Sequence, residues 1–125
     1  MQKNLQFKKI LVVEDDEMNF IYLSQIFKIA RIEIMRAKTG YEALEIVKHF
    51  KDISLILMDI QLPDIDGYET TRKIREINTN IPVIAQTAAR NINNAELAKN
   101  AGCTDIIIKP FKMEELMAKM KNYLV

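Results

Sequence analysis

The chain has 125 residues, 49% of them hydrophobic and 28% charged, which indicates a single globular domain spanning residues 1–125. Its formal net charge of +1 excludes the strongly basic surface on which nucleic-acid binding depends, so no direct nucleic-acid partner is expected. A single cysteine, Cys103, and the lack of a signal-peptide pattern or a ~20-residue apolar run favour a cytoplasmic protein with no membrane insertion.

Short apolar runs alternate with segments of helical periodicity along the chain. The run KILVV (9–13) is typical of a buried strand, whereas Phe20, Leu23, Phe27 and Ala30 fall on one face of a helix. The predicted strands are 9–13, 33–37, 54–59, 82–87 and 104–109. The predicted helices are 17–30, 39–50, 67–77, 91–102 and 112–124.

Five strand–helix units in succession predict an α/β fold, a parallel sheet with helices on both faces. Asp16 is placed to cap the first helix, and Gly102 is placed to end the fourth. The fourth helix, rich in Asn and Ala, has the weakest pattern. In sheets of this kind ligands bind at the carboxyl ends of the strands, so the residues that follow each strand are the candidate site.

Polar side chains stand at the ends of four predicted strands: Glu14 and Asp15 after the first, Asp59 at the third, Thr87 at the fourth and Lys109 at the fifth. If the first and third strands are neighbours, the three carboxylates converge and need a cation among them. An all-oxygen cluster suits Mg²⁺, and Mn²⁺ could substitute. With a lysine and a hydroxyl on the same rim, the cluster suits a phosphoryl group and suggests an aspartyl-phosphate intermediate.

Each of these residues also has an ordinary structural interpretation. The stretch EDDE (14–17) could be a solvated loop, and Asp59 could open a turn before LPDIDG. Thr87 could be a plain strand threonine, and Lys109 could be a surface lysine whose stem reaches solvent. Their coincidence at one edge of one sheet favours a site.

In this order, the motifs ILVVEDD, LMDIQLPDIDG, VIAQTA and IIIKPF resemble those of response-regulator receiver domains from two-component phosphorelays, over about residues 8–124. The resemblance implies the flavodoxin-like doubly wound fold, with strand order 2-1-3-4-5. It also implies a Mg²⁺ site. Asp15, Asp59 and the backbone carbonyl of Gln61 would ligate the ion directly, and Glu14 would act through a water.

The resemblance further implies that Asp59 accepts a phosphoryl group from a phosphohistidine on a sensor histidine kinase or a histidine phosphotransfer domain. Lys109 would contact one phosphoryl oxygen and Thr87 another, and the inward pull on Thr87 would repack the face formed by the fourth helix, fifth strand and fifth helix. The peptide bond between Lys109 and Pro110 is expected to be cis. Pro63 and Gly67 would shape the loop after the acceptor.

The chain departs from the common receiver pattern at two places. Ile106 stands where an aromatic rotamer switch is usual, so the output is expected to travel through the loop before the fourth helix. The second is Ala89, two residues after Thr87 and followed by Arg90. The resemblance implies that the position of Ala89 and that of Gln61 would flank the phosphoryl group and tune its hydrolysis.

Three alternative functions belong to other classes of protein. A flavin or nucleotide binder would need a Ser/Thr/Gly-rich loop after the first strand, where this chain is acidic. An aspartyl phosphatase would carry a second acid at position 61, where this chain has Gln61. A pseudo-receiver that only binds partners would lack one of the site residues, all of which are present.

The receiver interpretation predicts that the domain catalyses only its own phosphorylation and dephosphorylation and is not otherwise an enzyme. It also predicts a monomer or weak dimer. A complete chain would be a single-domain receiver. An excised one would resemble the receiver of a hybrid sensor histidine kinase, an origin that the stretches VVEDDEMN and LPDIDGYE favour.

Overall fold

The computed structural model describes residues 8–88 and 93–124. The strands are β1 (Lys9–Val13), β2 (Glu33–Ala37), β3 (Leu55–Asp59), β4 (Val83–Thr87) and β5 (Asp105–Ile108). The helices are α1 (Glu17–Ala30), α2 (Gly40–His49), α3 (Gly67–Ile77), α4 (Asn94–Ala101) and α5 (Met113–Lys121). Each predicted element is present. Four elements have the predicted bounds, and the other six differ from them by one to three residues at one end or both.

The strands form one parallel sheet in the order β2-β1-β3-β4-β5, which confirms the doubly wound fold and its predicted strand order. β1 lies between β2 and β3, and the register pairs Val13 with Met58. This pairing places Glu14 and Asp59, the next residue along each strand, at the same edge of the sheet. Among the described residues, no helix is long and apolar enough to cross a membrane.

The sheet separates two apolar cores because alternate residues of each strand point to opposite faces. Leu55 and Leu57 pack with α1 and α5, while Ile56 and Met58 pack with α2 and α3. All five residues of β3 are buried, as expected for a central strand. Leu116, Met120 and Leu124 belong to the α1–α5 core, and Met113 and Met117 pack against it, so these methionines fill space in and around this core.

Helix ends follow the capping signals, and α2, α4 and α5 are shorter than predicted. Asp16 caps α1 by accepting a hydrogen bond from the Asn19 amide, and Gly102 ends α4 in the left-handed conformation at φ 97°. α5 ends at Lys121 rather than at 124, because the amides of Asn122 and Tyr123 donate to the carbonyls three residues back, those of Lys119 and Met120, which is the tighter 3₁₀ pattern. Residues 91 and 92 of the predicted fourth helix lie outside the described part of the chain.

Two carboxylates in the loop that follows β3 fix this loop to the helices on either side of it. Asp64 accepts hydrogen bonds from the backbone amides of Gly40 and Tyr41 at 2.9 Å each, and so caps α2. Asp66 accepts a bond from the Glu69 amide and caps α3. These carboxylates tie the LPDIDG segment to two helices, which holds the residue that precedes the loop, Asp59, in place.

Gly67 has no room for a side chain. A Cβ atom there would lie 2.3 Å from the Asp59 carbonyl oxygen and 2.8 Å from the Ile60 Cα. The Gly67 amide also donates to the Ile60 carbonyl at 2.8 Å. The first turn of α3 therefore packs directly on the backbone of Asp59, as the loop-shaping role predicted for Gly67 requires. Pro63, the other residue assigned that role, lies exposed in the loop.

Candidate functional site

Three carboxylates meet at the carboxyl ends of β1 and β3. Glu14, Asp15 and Asp59 each offer one oxygen, and these oxygens lie within 4.8 Å of one another. Glu14 is fully buried and Asp59 is 5% exposed, whereas Asp15 faces solvent. The site is therefore buried on the side of Glu14 and Asp59 and open to solvent on the side of Asp15.

Lys109 is the cation beside this cluster. It follows β5, and its Nζ lies 3.3 Å from Asp59 Oδ1 and 3.6 Å from Glu14 Oε1. Burial, and after it the neighbouring Asp59 carboxylate, raises the pKa of Glu14 to about 7. One ammonium thus faces two buried carboxylates, and its charge does not fully balance theirs. The peptide bond from Lys109 to Pro110 is cis, as predicted.

Glu14 is held by neutral groups as well. The side-chain amide of Asn19 donates to Glu14 Oε1, and the backbone amide of Asp16 donates to Oε2 at 3.3 Å. Arg36 Nε donates to the Glu14 carbonyl at 3.1 Å, and the same guanidinium lies 2.9 Å from Glu17 and 4.1 Å from the centre of the Phe20 ring. Arg36 therefore fastens the loop from β1 to α1 that carries two of the three carboxylates.

Gln86 lies fully buried on β4, opposite Asp59 in the strand register. Its Oε1 accepts a 3.4 Å hydrogen bond from the Asn19 side-chain amide. Its Nε2 has no hydrogen-bond partner in the described part of the chain. Asn19 thus bridges the buried Gln86 side chain and the Glu14 carboxylate.

Gln61 contributes its backbone at the other side of Asp59. Its amide donates to Asp59 Oδ1 at 3.2 Å, and its side chain is exposed. The structure therefore places Gln61 at the site, while the ligand role of its carbonyl stays a prediction.

Thr87 ends β4 and is 5% exposed. Its hydroxyl accepts a hydrogen bond from Asn94 Nδ2 at 3.3 Å, and Tyr68 donates to Asn94 Oδ1 at 3.3 Å. These contacts connect the end of β4 with the first residue of α4 and the first turn of α3. Ile106, at the position of the usual aromatic switch, is a half-buried aliphatic side chain.

The donor set fits a hard divalent cation. Glu14, Asp15 and Asp59 supply only oxygen, which suits Mg²⁺ or Mn²⁺ rather than a thiolate- or imidazole-binding metal. The raised pKa of Glu14 is a second sign, because a cation would relieve the repulsion that helps to raise it. The chemistry available is that of an oxygen nucleophile, Asp59, flanked by a cation site and an ammonium.

The structure brings together Glu14, Asp15, Asp59 and Lys109, as the sequence predicts, and places Thr87 one residue past the strand partner of Asp59. Ala89 and Arg90 lie outside the described residues. Sequence reasoning missed the supporting residues, which are Asn19, Arg36, Tyr68, Gln86 and Asn94. A signal existed only for Gln86, which is a polar residue inside the otherwise apolar run of β4.

Known proteins share the sequence pattern and the fold of this chain. The response regulator receiver domain model matches residues 10–121. The polar-differentiation response regulator DivK of Brucella abortus is 35% identical over 120 residues, which are 94% of this chain and 96% of DivK.

Two solved structures of receivers share the fold. The receiver domain of the sensor histidine kinase PA1611 from Pseudomonas aeruginosa, solved with a magnesium ion in its active-site cleft, is 30% identical with a TM-score of 0.87, over 94% of this chain and 97% of that one. The receiver of Saccharomyces cerevisiae Ssk1, solved with the phosphotransfer protein Ypd1, is 28% identical with a TM-score of 0.86, over 94% and 88%. The chain therefore belongs to the response regulator receiver domain family of two-component systems.

Proposed function

We propose that this chain is a working phosphoacceptor, which takes a phosphoryl group from a phosphohistidine onto Asp59 with the help of Mg²⁺ and changes conformation in response. The observation that carries the proposal is that Asp59 shares a cluster of acidic oxygens with Glu14 and Asp15 and lies 3.3 Å from the Lys109 ammonium. A pseudo-receiver would not need this complete set.

The proposed reaction needs Asp59 as a nucleophile and a way to neutralise negative charge. A carboxylate oxygen of Asp59 forms a bond to phosphorus as the bond from phosphorus to the donor nitrogen breaks, and the imidazole leaves with the electron pair. Glu14, Asp15, Asp59 and the Gln61 carbonyl are the groups that would hold Mg²⁺, which supplies charge neutralisation at the phosphoryl oxygens. Lys109, whose Nζ lies 3.3 Å from Asp59 Oδ1, supplies a further positive charge beside the acceptor.

The domain acts on itself in this scheme, since it takes up and later hydrolyses its own phosphoryl group rather than turning over a separate substrate. A sensor histidine kinase or a histidine phosphotransfer protein is the expected donor, and the Ssk1 receiver is a relative solved with such a phosphotransfer protein. A cytoplasmic location and a monomer or weak dimer remain part of the proposal.

A surface suited to the donor lies beside the site on α1. Met18, Ile21 and Tyr22 are exposed apolar residues, and Met18 is 74% exposed. Tyr22 donates to the carbonyl of Phe111 at 2.6 Å, which joins this face to the loop that follows Lys109. A donor must approach Asp59 from this rim, and exposed apolar side chains there would stabilise the complex.

The route of the conformational change is proposed to run through Thr87 and Asn94. If the Thr87 hydroxyl turns toward a phosphoryl oxygen on Asp59, its hydrogen bond with Asn94 Nδ2 is lost. Asn94 also accepts a hydrogen bond from Tyr68, so a change at Asn94 would reach both the first turn of α4 and the start of α3. This route needs no aromatic residue at the position of Ile106.

The proposal is tested by incubating the protein with acetyl phosphate and Mg²⁺ and recording its intact mass. The parent gains one phosphoryl group, Asp59→Asn gains none, and EDTA abolishes the gain. Asp52→Asn is the matched control, because Asp52 is an exposed carboxylate paired with Lys9 away from the site, and it reacts like the parent. An unmodified parent, or equal modification of Asp59→Asn, would leave partner binding as the function.

A further inference from the structure

Two buried carboxylates compete for one lysine in this site. Lys109 Nζ lies 3.3 Å from Asp59 Oδ1 and 3.6 Å from Glu14 Oε1. Glu14 is the more deeply buried of the two, and an unpaired buried carboxylate is costly, so Glu14 attracts the ammonium strongly. Yet Lys109 is useful in phosphoryl transfer only if it stays with Asp59.

Asn19 donates to Oε1 of Glu14, the same oxygen that faces Lys109. A hydrogen bond from a neutral amide satisfies that oxygen without drawing on the lysine. The Asn19 backbone is itself fixed, because its amide donates to the capping carboxylate of Asp16 at 3.2 Å. The side-chain amide that donates to Glu14 is therefore attached to backbone that is fixed in the first turn of α1.

Gln86 supplies the acceptor that orients Asn19. Its Oε1 lies 3.4 Å from Asn19 Nδ2, so both hydrogens of that amide nitrogen have an acceptor. Gln86 is 0% exposed, and its own Nε2 lacks a hydrogen-bond partner within the described residues. A buried amide without a hydrogen-bond partner lowers the free energy of unfolding. If Gln86 served only to fill space, an apolar residue at this position would give a more stable protein.

We propose that Asn19, oriented by Gln86, is a positioning residue that holds the Glu14 carboxylate and thereby keeps the Lys109 ammonium on Asp59. Neither side chain touches the reacting atoms. The inference rests on the proposed phosphoacceptor function, because it assigns Lys109 to the reaction at Asp59.

The first test measures phosphorylation by acetyl phosphate at saturating Mg²⁺ together with thermal stability. Asn19→Ala slows phosphorylation about tenfold, at the low end of the effect of outer partners in metal sites. Gln86→Met slows it less, yet leaves the protein as stable as the parent or more stable, because the substitution removes an unsatisfied buried amide. The matched control is Gln25→Ala, which removes an exposed amide from the same helix and leaves the rate unchanged.

The second test needs no metal and no reaction. In EDTA at pH 8, Lys109→Met and Asn19→Ala are compared singly and together by their urea midpoints. Because both groups donate to Glu14 Oε1, the double variant loses more than the sum of the two single losses. A structural role for Asn19 unrelated to Lys109 would give additive losses.

These outcomes separate the two proposals. If the parent itself is not phosphorylated, the phosphoacceptor function fails. If the parent reacts, but Asn19→Ala reacts equally fast or the urea losses are additive, the role of Asn19 is overturned while the function stands.

Discussion

Glu14 links the stability of the protein to pH. Burial, and secondly Asp59, raises its pKa from an ordinary 4.5 to about 7, so the folded protein holds a proton there that the unfolded chain releases. Between these two values the folded state binds more protons than the unfolded state, and stability falls as the pH rises. We expect the melting temperature in EDTA to fall from pH 5 to pH 8.

Glu14→Gln provides the control for this prediction, since glutamine cannot titrate. Its melting temperature should change much less between pH 5 and pH 8. Addition of Mg²⁺ at pH 8 should restore stability in the parent, because the cation binds the ionised carboxylates of the folded protein only. An equal fall with pH in parent and variant would contradict the assignment of this titration to Glu14.

The helix α4 is joined to the site through its first residue. Asn94 is buried and lies between the Thr87 hydroxyl and the Tyr68 hydroxyl. If this contact transmits the phosphorylation signal, Asn94→Ala should still be phosphorylated on Asp59 but should respond less in α4. We expect the changes in amide chemical shift of Ala98 and Ala101 on phosphorylation to fall by at least half, measured by NMR.

Asn100→Ala is the matched control for this helix, because Asn100 is an exposed asparagine on α4. It should show the full response of the parent. A full response in Asn94→Ala would show that the signal reaches α4 by another route.

The helices and strands could be predicted from the sequence because their signals are local. The hydrogen-bond network that joins Gln86, Asn19 and Glu14 could not. The sequence LILMD shows both the apolar run of β3 and the aspartate at its end, and the capping residue Asp16 indicates where α1 begins. Asn19 and Gln86 are 67 residues apart, and each looks like an ordinary polar residue of its own element. Only the strand order and register, which bring β1 and β4 to either side of β3, place their side chains together.

The same limit explains which parts of the candidate site were foreseen. Glu14, Asp15, Asp59 and Lys109 directly end or follow strands, and the carboxyl ends of parallel strands share one edge. The role of Asn94 depends on how the Thr87 hydroxyl and the first turn of α4 are oriented, which periodicity does not report.

The strand β3 contributes alternate residues to both cores, so the two cores depend on one sheet. We therefore expect the whole domain to unfold as a single unit. Leu57 is fully buried in the α1–α5 core. Leu57→Ala should therefore lower the free energy of unfolding by about 2–5 kcal/mol. The site carboxylates should stay in place in the molecules that remain folded.

Gly67→Ala should destabilise the protein in a different way. The added Cβ would meet the Asp59 carbonyl oxygen at 2.3 Å, so the backbone that carries Asp59 must move. The measurement is the urea midpoint at pH 8 in EDTA and in saturating Mg²⁺, where a cation at 100 times its Kd adds about 2.7 kcal/mol. Leu57→Ala should keep the parent's gain on addition of Mg²⁺, whereas Gly67→Ala should lose most of it. An equal gain in both variants would mean that the packing of α3 on β3 stabilises the fold without positioning the acceptor.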